Sequence, residues 1–166
     1  MRTICVVTAT RAEYGLLRPV VQKLAASSTL QLQLVATGAH LCPRLGETVR
    51  EIEADGVPIA ARLPIFVGDE NEPVAVTIAR TITVFDAYFS AHRPDAVLLL
   101  GDRFEIFAAA TAAAARHIPI AHISGGDVTL GAADEYYRHC ITKMAAVHFP
   151  SCADSAARLV RMGEAP

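Results

Sequence analysis

An open, doubly wound α/β sheet with parallel strands is the fold this sequence predicts. Three observations carry the prediction. Short apolar, β-rich runs alternate along the chain with segments whose apolar residues recur at helical spacing. Several of the runs are apolar on both faces, as strands sandwiched between two helical layers must be. Glycines and charged residues collect directly after the runs, at C-terminal strand ends, where open α/β sheets bind ligands. Strands separated by helices imply a parallel sheet with right-handed crossovers.

The elements follow in order. Ile4-Cys5-Val6-Val7 forms the centre of a buried strand over residues 3–8. Residues 14–26 read as a helix, because Leu16, Leu17, Val20, Val21 and Leu24 fall at helical spacing. Residues 30–37 make the second strand. Residues 44–54 read as a helix stopped by Asp55-Gly56, and 59–66 as a short strand. Residues 73–91 suit a helix with proline in its first turn. Residues 96–100 form a central strand, and 104–116 an alanine-rich helix whose small side chains permit close packing on the sheet. Residues 119–123 are the next strand. Helices over 134–145 and 151–162 close the chain, with a short strand at 147–149 between them. No internal repeat or low-complexity linker interrupts residues 1–166, which read as one domain.

Composition narrows the function classes. A chain of 166 residues with 52% hydrophobic and 19% charged residues can bury a full core and is not disordered. The net charge is −2 and there is no long basic run, which argues against a nucleic-acid groove or a membrane-surface helix. Cys5, Cys42, Cys140 and Cys152 form no C-x-x-C pair and read as reduced thiols of a cytoplasmic protein. The apolar runs are strand-length and broken by polar residues, so no transmembrane span is expected. The chain opens directly on a strand, so no signal peptide is expected.

Chemistry concentrates at the strand ends. The first strand runs into Thr10-Arg11-Ala12-Glu13-Tyr14-Gly15 at a helix start, where free N–H groups and an arginine attract anions. Arg11 is equally read as a surface ion-pair partner. Gly101-Asp102-Arg103 follows the central strand. Asp102 there faces the crevice as a base or a sugar-hydroxyl ligand, or caps the next helix. Arg103 holds a diphosphate or neutralises Asp102. In His122 to Asp127, Gly125 and Gly126 would let backbone approach a ligand. Asp127 reads as a second acid/base group or a turn residue, and His122 as a ligand contact or a core histidine. Asp134 and Glu135 begin a helix whose dipole they complement, with Arg138 and His139 one turn later on the same face. His40 and Cys42 lack further ligands, so no metal site is expected.

As a set, these residues resemble the N-terminal domain of UDP-N-acetylglucosamine 2-epimerases, particularly the hydrolysing, sialic-acid-pathway type. The resemblance rests on residues 10–15, on Thr37-Gly38-Ala39-His40-Leu41, on Gly101-Asp102-Arg103-Phe104-Glu105, on His122 to Gly126, and on Arg138-His139-Cys140-Ile141-Thr142-Lys143-Met144. It implies one Rossmann-like half of a GT-B-type two-domain fold, with a UDP-sugar held between the halves. It implies loss of UDP across C1–C2 of UDP-N-acetylglucosamine, then hydration to N-acetylmannosamine, with no redox cofactor. Asp102 and Asp134 would be catalytic. Arg11 and Arg103 would contact the nucleotide or its phosphates, in a cleft also lined by Gly15, His122, Gly125, Gly126, Arg138 and His139. Many members carry a glutamate directly after the His-Ile pair; Ser124 stands there in this chain, and Asp127 is the nearest carboxylate. Members are also roughly twice this length, so a C-terminal nucleotide-binding half is expected to be absent. Two other readings stay open. One is a non-catalytic half that pairs with a separate C-terminal chain. The other is a self-sufficient homodimeric enzyme acting on a smaller nucleotide or sugar, its site completed by the neighbouring subunit over the helix from Asp134 to His139, and in either case a homo-oligomer is expected.

Overall fold

Six strands, β1 (Arg2–Thr8), β2 (Leu30–Thr37), β3 (Ile59–Leu63), β4 (Ala96–Leu100), β5 (Ile120–Ile123) and β6 (Val147–Phe149), form one parallel sheet. Their order is β3-β2-β1-β4-β5-β6. The computed structural model describes residues 1–67 and 72–166. The order reverses between β1 and β4, and the crevice outside those two strand ends is where such sheets bind ligands.

The helices are α1 (Arg11–Ala25), α2 (Val49–Ala54), α3 (Val74–His92), α4 (Phe104–Ala115), α5 (Asp134–Met144) and α6 (Ala153–Arg161). Alternate residues of β1, β2, β4 and β5 serve two cores. Cys5, Val7 and Leu99 pack with Phe85, Phe89 and Ile106 on the side of α3 and α4. Val6 and Leu34 pack with Leu17, Val21 and Ile52 on the side of α1 and α2. Ala108, Ala109, Ala110, Ala112 and Ala113 of α4 are buried, as close packing of small residues requires.

Helix α3 is long and apolar enough to cross a membrane by length and composition. In the fold it lays one face on the core: Phe85, Tyr88 and Phe89 are buried, while Arg80 and Asp86 pair with Glu72 and Arg116.

Three element boundaries differ from the sequence expectation by three residues or more. Helix α1 starts at Arg11, three residues early, because Thr10 and Glu13 form a reciprocal capping box. The expected helix over 44–54 is shortened to α2 and preceded by 3₁₀ turns at Gly38–Leu41 and Pro43–Leu45. Gly46 and Glu47 are both left-handed, with φ of 93° and 46°, which no right-handed helix can pass through. Strand β3 ends at Leu63, before Pro64, which has no N–H to give a ladder.

One face of the sheet beside α1 is open. A trough of about 470 Å³ runs over β4, β5 and β6, with an entirely apolar lining that includes Val20, Leu24, Leu98, Ile123 and Phe149. Phe149 is 51% exposed there.

Candidate active site

Strand β4 delivers Asp102 to the crevice. Gly101 follows the strand with φ of 81°, a left-handed turn that suits glycine and turns the chain off the strand axis. Asp102 does not cap α4: the N-cap is Arg103, without a side-chain cap bond. Instead Asp102 Oδ2 accepts from Arg138 Nε at 2.8 Å and from Nη2 of the same guanidinium. Arg138 Nη1 donates to Asp127 O at 2.6 Å and to Glu135 Oε2 at 2.7 Å, and Nη2 also donates to Thr129 Oγ1 at 2.6 Å. These bonds engage all five N–H donors of an arginine. The Arg138 side chain is 2% exposed, whereas that of Asp102 is 24% exposed. Arg138 is therefore a buried strut that orients Asp102, with its donors taken up inside the chain.

The second cluster lies where β1 ends. Glu13 Oε2 accepts from Ala9 N at 2.7 Å and from Thr10 N at 3.2 Å. Its Oε1 is buried with no hydrogen-bond partner and lies 4.0 Å from Arg103 Nε. Arg103 also donates to Glu105, through Nε at 3.2 Å and Nη2 at 2.9 Å. Glu105 is fully buried, while the Arg103 side chain is 43% exposed and so presents a cation to the crevice. Gly38, left-handed at φ 57°, floors this cluster: a Cβ there would lie 2.9 Å from Ala9 O and 3.3 Å from Glu105 Oε1. Burial pushes the Glu13 carboxyl up to about 7, with Glu105 adding to the shift and Arg103 and the Ala9 N–H opposing it.

At the end of β5 the expected ligand loop is packed against its own chain. His122 Nε2 donates to Gly101 O at 2.8 Å, which fixes the tautomer, and Nδ1 lies 3.4 Å from Thr142 Oγ1. The ring is wholly buried and both nitrogens face partners within the chain, so His122 braces the Gly101 turn. A Cβ on Gly125 would meet His122 Nδ1 at 3.0 Å, and one on Gly126 would meet Ser155 O at 2.4 Å. Both glycines therefore leave room for the chain's own atoms, His122 at Gly125 and Ser155 at Gly126. The Asp127 carboxylate accepts from Ser151 Oγ at 2.5 Å and from Ser155 Oγ at 2.6 Å, tying the loop to the start of α6. Ser124 is left-handed at φ 66°, a conformation uncommon outside glycine.

Burial holds His122 down to about 4, neutral at physiological pH, despite the Gly101 carbonyl that favours the charged form. In the unfolded chain it titrates near 6.5. Between those values the unfolded state binds the extra proton, so stability should fall as pH drops from about 6.5 to 4, on the order of 1 kcal/mol per pH unit. Urea unfolding across that range should show this slope in the wild type and not in His122→Asn. Parallel profiles would contradict it.

The remaining expected residues lie on two sides. Asp134 opens α5, half-buried, and its charge acts on Arg103 across the crevice. His139 is held by Glu135 Oε1 at 3.2 Å. Arg11 pairs with Glu51 at 2.9 Å and is 73% exposed. Gly15 lies on the outer surface of α1, in a groove with Tyr14, Arg18, Glu51 and Asp55. It is the residue whose carbonyl the Pro19 ring faces one turn on. His40 is used by Thr8 Oγ1 at 3.0 Å and Thr48 Oγ1 at 2.8 Å. Among the described residues no three His, Cys, Asp or Glu side chains group as a metal site. Glu13 and Glu105 are the site residues that sequence reading missed. The T-x-x-E spacing announces a helix cap, but nothing local tells that the cap carboxyl is buried beside a second acid.

A profile of the UDP-N-acetylglucosamine 2-epimerase family matches residues 22–166. The chain is 41% identical over 165 residues to UDP-N,N′-diacetylbacillosamine 2-epimerase (hydrolyzing) of Legionella pneumophila, covering 99% of this chain and 44% of that relative. It is 39% identical over 164 residues to GDP/UDP-N,N′-diacetylbacillosamine 2-epimerase (hydrolyzing) of Campylobacter jejuni, covering 98% and 42%. The chain thus spans less than half the length of these relatives. Among solved structures, UDP-GlcNAc 2-epimerase from Neisseria meningitidis bound to UDP-GlcNAc superimposes with a TM-score of 0.86 at 24% identity, over 99% of this chain and 44% of that one. MurG of Acinetobacter baumannii, at 17% identity, superimposes with a TM-score of 0.69 over 93% and 43%. These likenesses place the sheet as the Rossmann-like half of a GT-B-type fold. With its family profile spanning most of the chain, and its sheet and strand ends arranged as described, the chain belongs to the UDP-N-acetylglucosamine 2-epimerase family.

Proposed function

We propose that this chain is the N-terminal, acid/base-bearing half of a hydrolysing UDP-sugar 2-epimerase. The observation that carries the reading is Asp102: a carboxylate at the switch-point crevice, held through one oxygen by a buried arginine and partly exposed. Removing the C2 proton of a UDP-N-acetylhexosamine needs such a base in hydrogen-bond reach. Departure of UDP from C1 needs cationic groups at the diphosphate. Arg103 supplies one, and Arg11 at the exposed start of α1 is the second candidate. The products of that elimination are a 2-acetamidoglycal and UDP. Water then adds across the C1–C2 bond, its hydroxyl to C1 and a proton to C2 on the opposite face, giving the 2-epimeric free sugar. Asp134, across from Arg103, is the partner acid for that step. Asp127, occupied by two serine hydroxyls, is assigned to holding the loop. The identities of 41% and 39% to relatives named for the diacetylated sugar favour UDP-N,N′-diacetylbacillosamine as substrate, with UDP-N-acetylglucosamine as the alternative.

The open apolar trough supports the reading that more polypeptide belongs with this half, since parallel sheets are covered on both faces. That polypeptide can be a C-terminal domain or a separate chain. The 166-residue chain alone is expected to bind UDP weakly and to turn over UDP-sugars poorly. Amide NMR with millimolar UDP should move the signals of residues 10–13 and 101–103. Shifts confined to other surfaces, or rapid release of UDP and free sugar by the chain alone, would overturn the reading.

A further inference from the structure

Among the described residues, Glu13 is the one buried carboxyl at the crevice whose second oxygen finds no hydrogen-bond partner. It is 5% exposed, anchored through Oε2 to the Ala9 and Thr10 amides, and aimed through Oε1 at Arg103. Arg103 thus lies between two buried acids. Glu105 takes its hydrogen bonds from α4, and Glu13 faces it from α1. The Arg103 guanidinium also sits 5.9 Å from the Phe104 ring. Its position depends on all three contacts.

We propose that Glu13 is a positioning residue for Arg103, and that it takes up a proton when a diphosphate docks on that arginine. The inference rests on the UDP-sugar reading for the identity of the anion, but not for the link between Glu13 and Arg103. The charge balance carries it. With both acids ionised, one arginine faces two negative charges, and an arriving diphosphate adds more in a site of low dielectric. Glu105 is committed to two charge-assisted hydrogen bonds and holds its place. Glu13 lacks such a bond at Oε1 and is already held near neutrality by burial. A proton from solvent relieves the repulsion there, and it changes Oε1 from an orphaned acceptor into a hydrogen-bond donor.

The other charged groups around Glu13 are engaged elsewhere. Arg11 pairs with Glu51. The Tyr14 hydroxyl donates to Asp55. His40, behind the end of β2, bonds to Thr8 and Thr48, and burial lowers its basicity. Asp134, from α5, acts on Arg103 and adds to the negative charge facing it. None of these offers Glu13 a counter-charge to replace Arg103.

The test uses the 166-residue chain and two readouts. The first is ligand-free: the Arg103 side-chain Nε–H signal, followed by NMR from pH 5 to 9. It should move in a single titration in the wild type and stay still in Glu13→Gln. The second is UDP affinity over pH 6 to 8. Wild-type affinity should fall by roughly tenfold more than that of Glu13→Gln, because one proton is linked to binding above the titration point. The neutral glutamine should bind at pH 8 as the wild type does at pH 6, whereas Glu13→Ala should bind more weakly throughout. An Arg103 signal that ignores pH, or moves equally in wild type and Glu13→Gln, overturns the positioning role. Equal pH profiles for UDP overturn the proton linkage. A titrating Arg103 signal with no UDP response anywhere sinks the UDP reading and the linkage, and leaves the positioning role standing.

Discussion

Replacing Arg138 with alanine is expected to cost about 3–5 kcal/mol of stability, the range seen when one member of a buried charge network is removed. The reason is in its five bonds. Without the guanidinium, Asp102 and Glu135 lose their counter-charge, and the Asp127 carbonyl and Thr129 hydroxyl lose a donor. Water has little access to replace these bonds, because the guanidinium is 2% exposed. The loss should appear as a drop in the urea midpoint on the order of 2 M, given typical denaturant slopes for a small domain. Arg138→Lys should recover only part of it, since an ammonium cannot reproduce a planar fork. Adding Asp102→Asn to Arg138→Ala should also recover part, because it removes one of the stranded charges. A midpoint change worth less than about 0.5 kcal/mol, the range of ordinary surface substitutions, would show that Arg138 is not the strut described.

The fold was legible because its signals are local and repeated. Runs such as Ala96–Leu100 and Ile4-Cys5-Val6-Val7 are apolar on both faces, and alternation with helical spacing leaves few topologies once crossovers are right-handed. Gly46 lies inside the expected helix over 44–54, and its left-handed turn is the local feature that breaks it. Asp102 was legible as a residue that follows a buried strand. Its partner was not. Arg138 lies 36 residues further on, and the pairing exists only because α5 folds back over the end of β4. The same holds for Gly126, whose lack of a side chain is required by Ser155 of α6. Glycines at strand ends carry two signals of identical appearance, close approach to a ligand and close approach to another part of the chain, and only the fold separates them. Glu13 shows a third kind of concealment. A helix-capping glutamate is ordinarily exposed, and its burial depends on Arg103 and Glu105 arriving from the far side of the switch point.

Asp102 carries the functional account, and Asp102→Asn should have the largest effect on turnover. Asparagine keeps an oxygen for the Arg138 guanidinium, so the loop and the fold should survive, with UDP affinity within about threefold of wild type. What it loses is basicity, and removal of a positioned general base typically costs on the order of 10²–10⁴ in rate. The direct measurement is the rate of UDP release from UDP-N,N′-diacetylbacillosamine and UDP-N-acetylglucosamine. The enzyme would be this chain joined to the C-terminal half of the Legionella pneumophila relative, with and without Asp102→Asn. The account predicts release of UDP and the 2-epimeric sugar by the joined protein, and a fall of at least a hundredfold on substitution with UDP binding retained. Turnover that is unchanged by Asp102→Asn would contradict it.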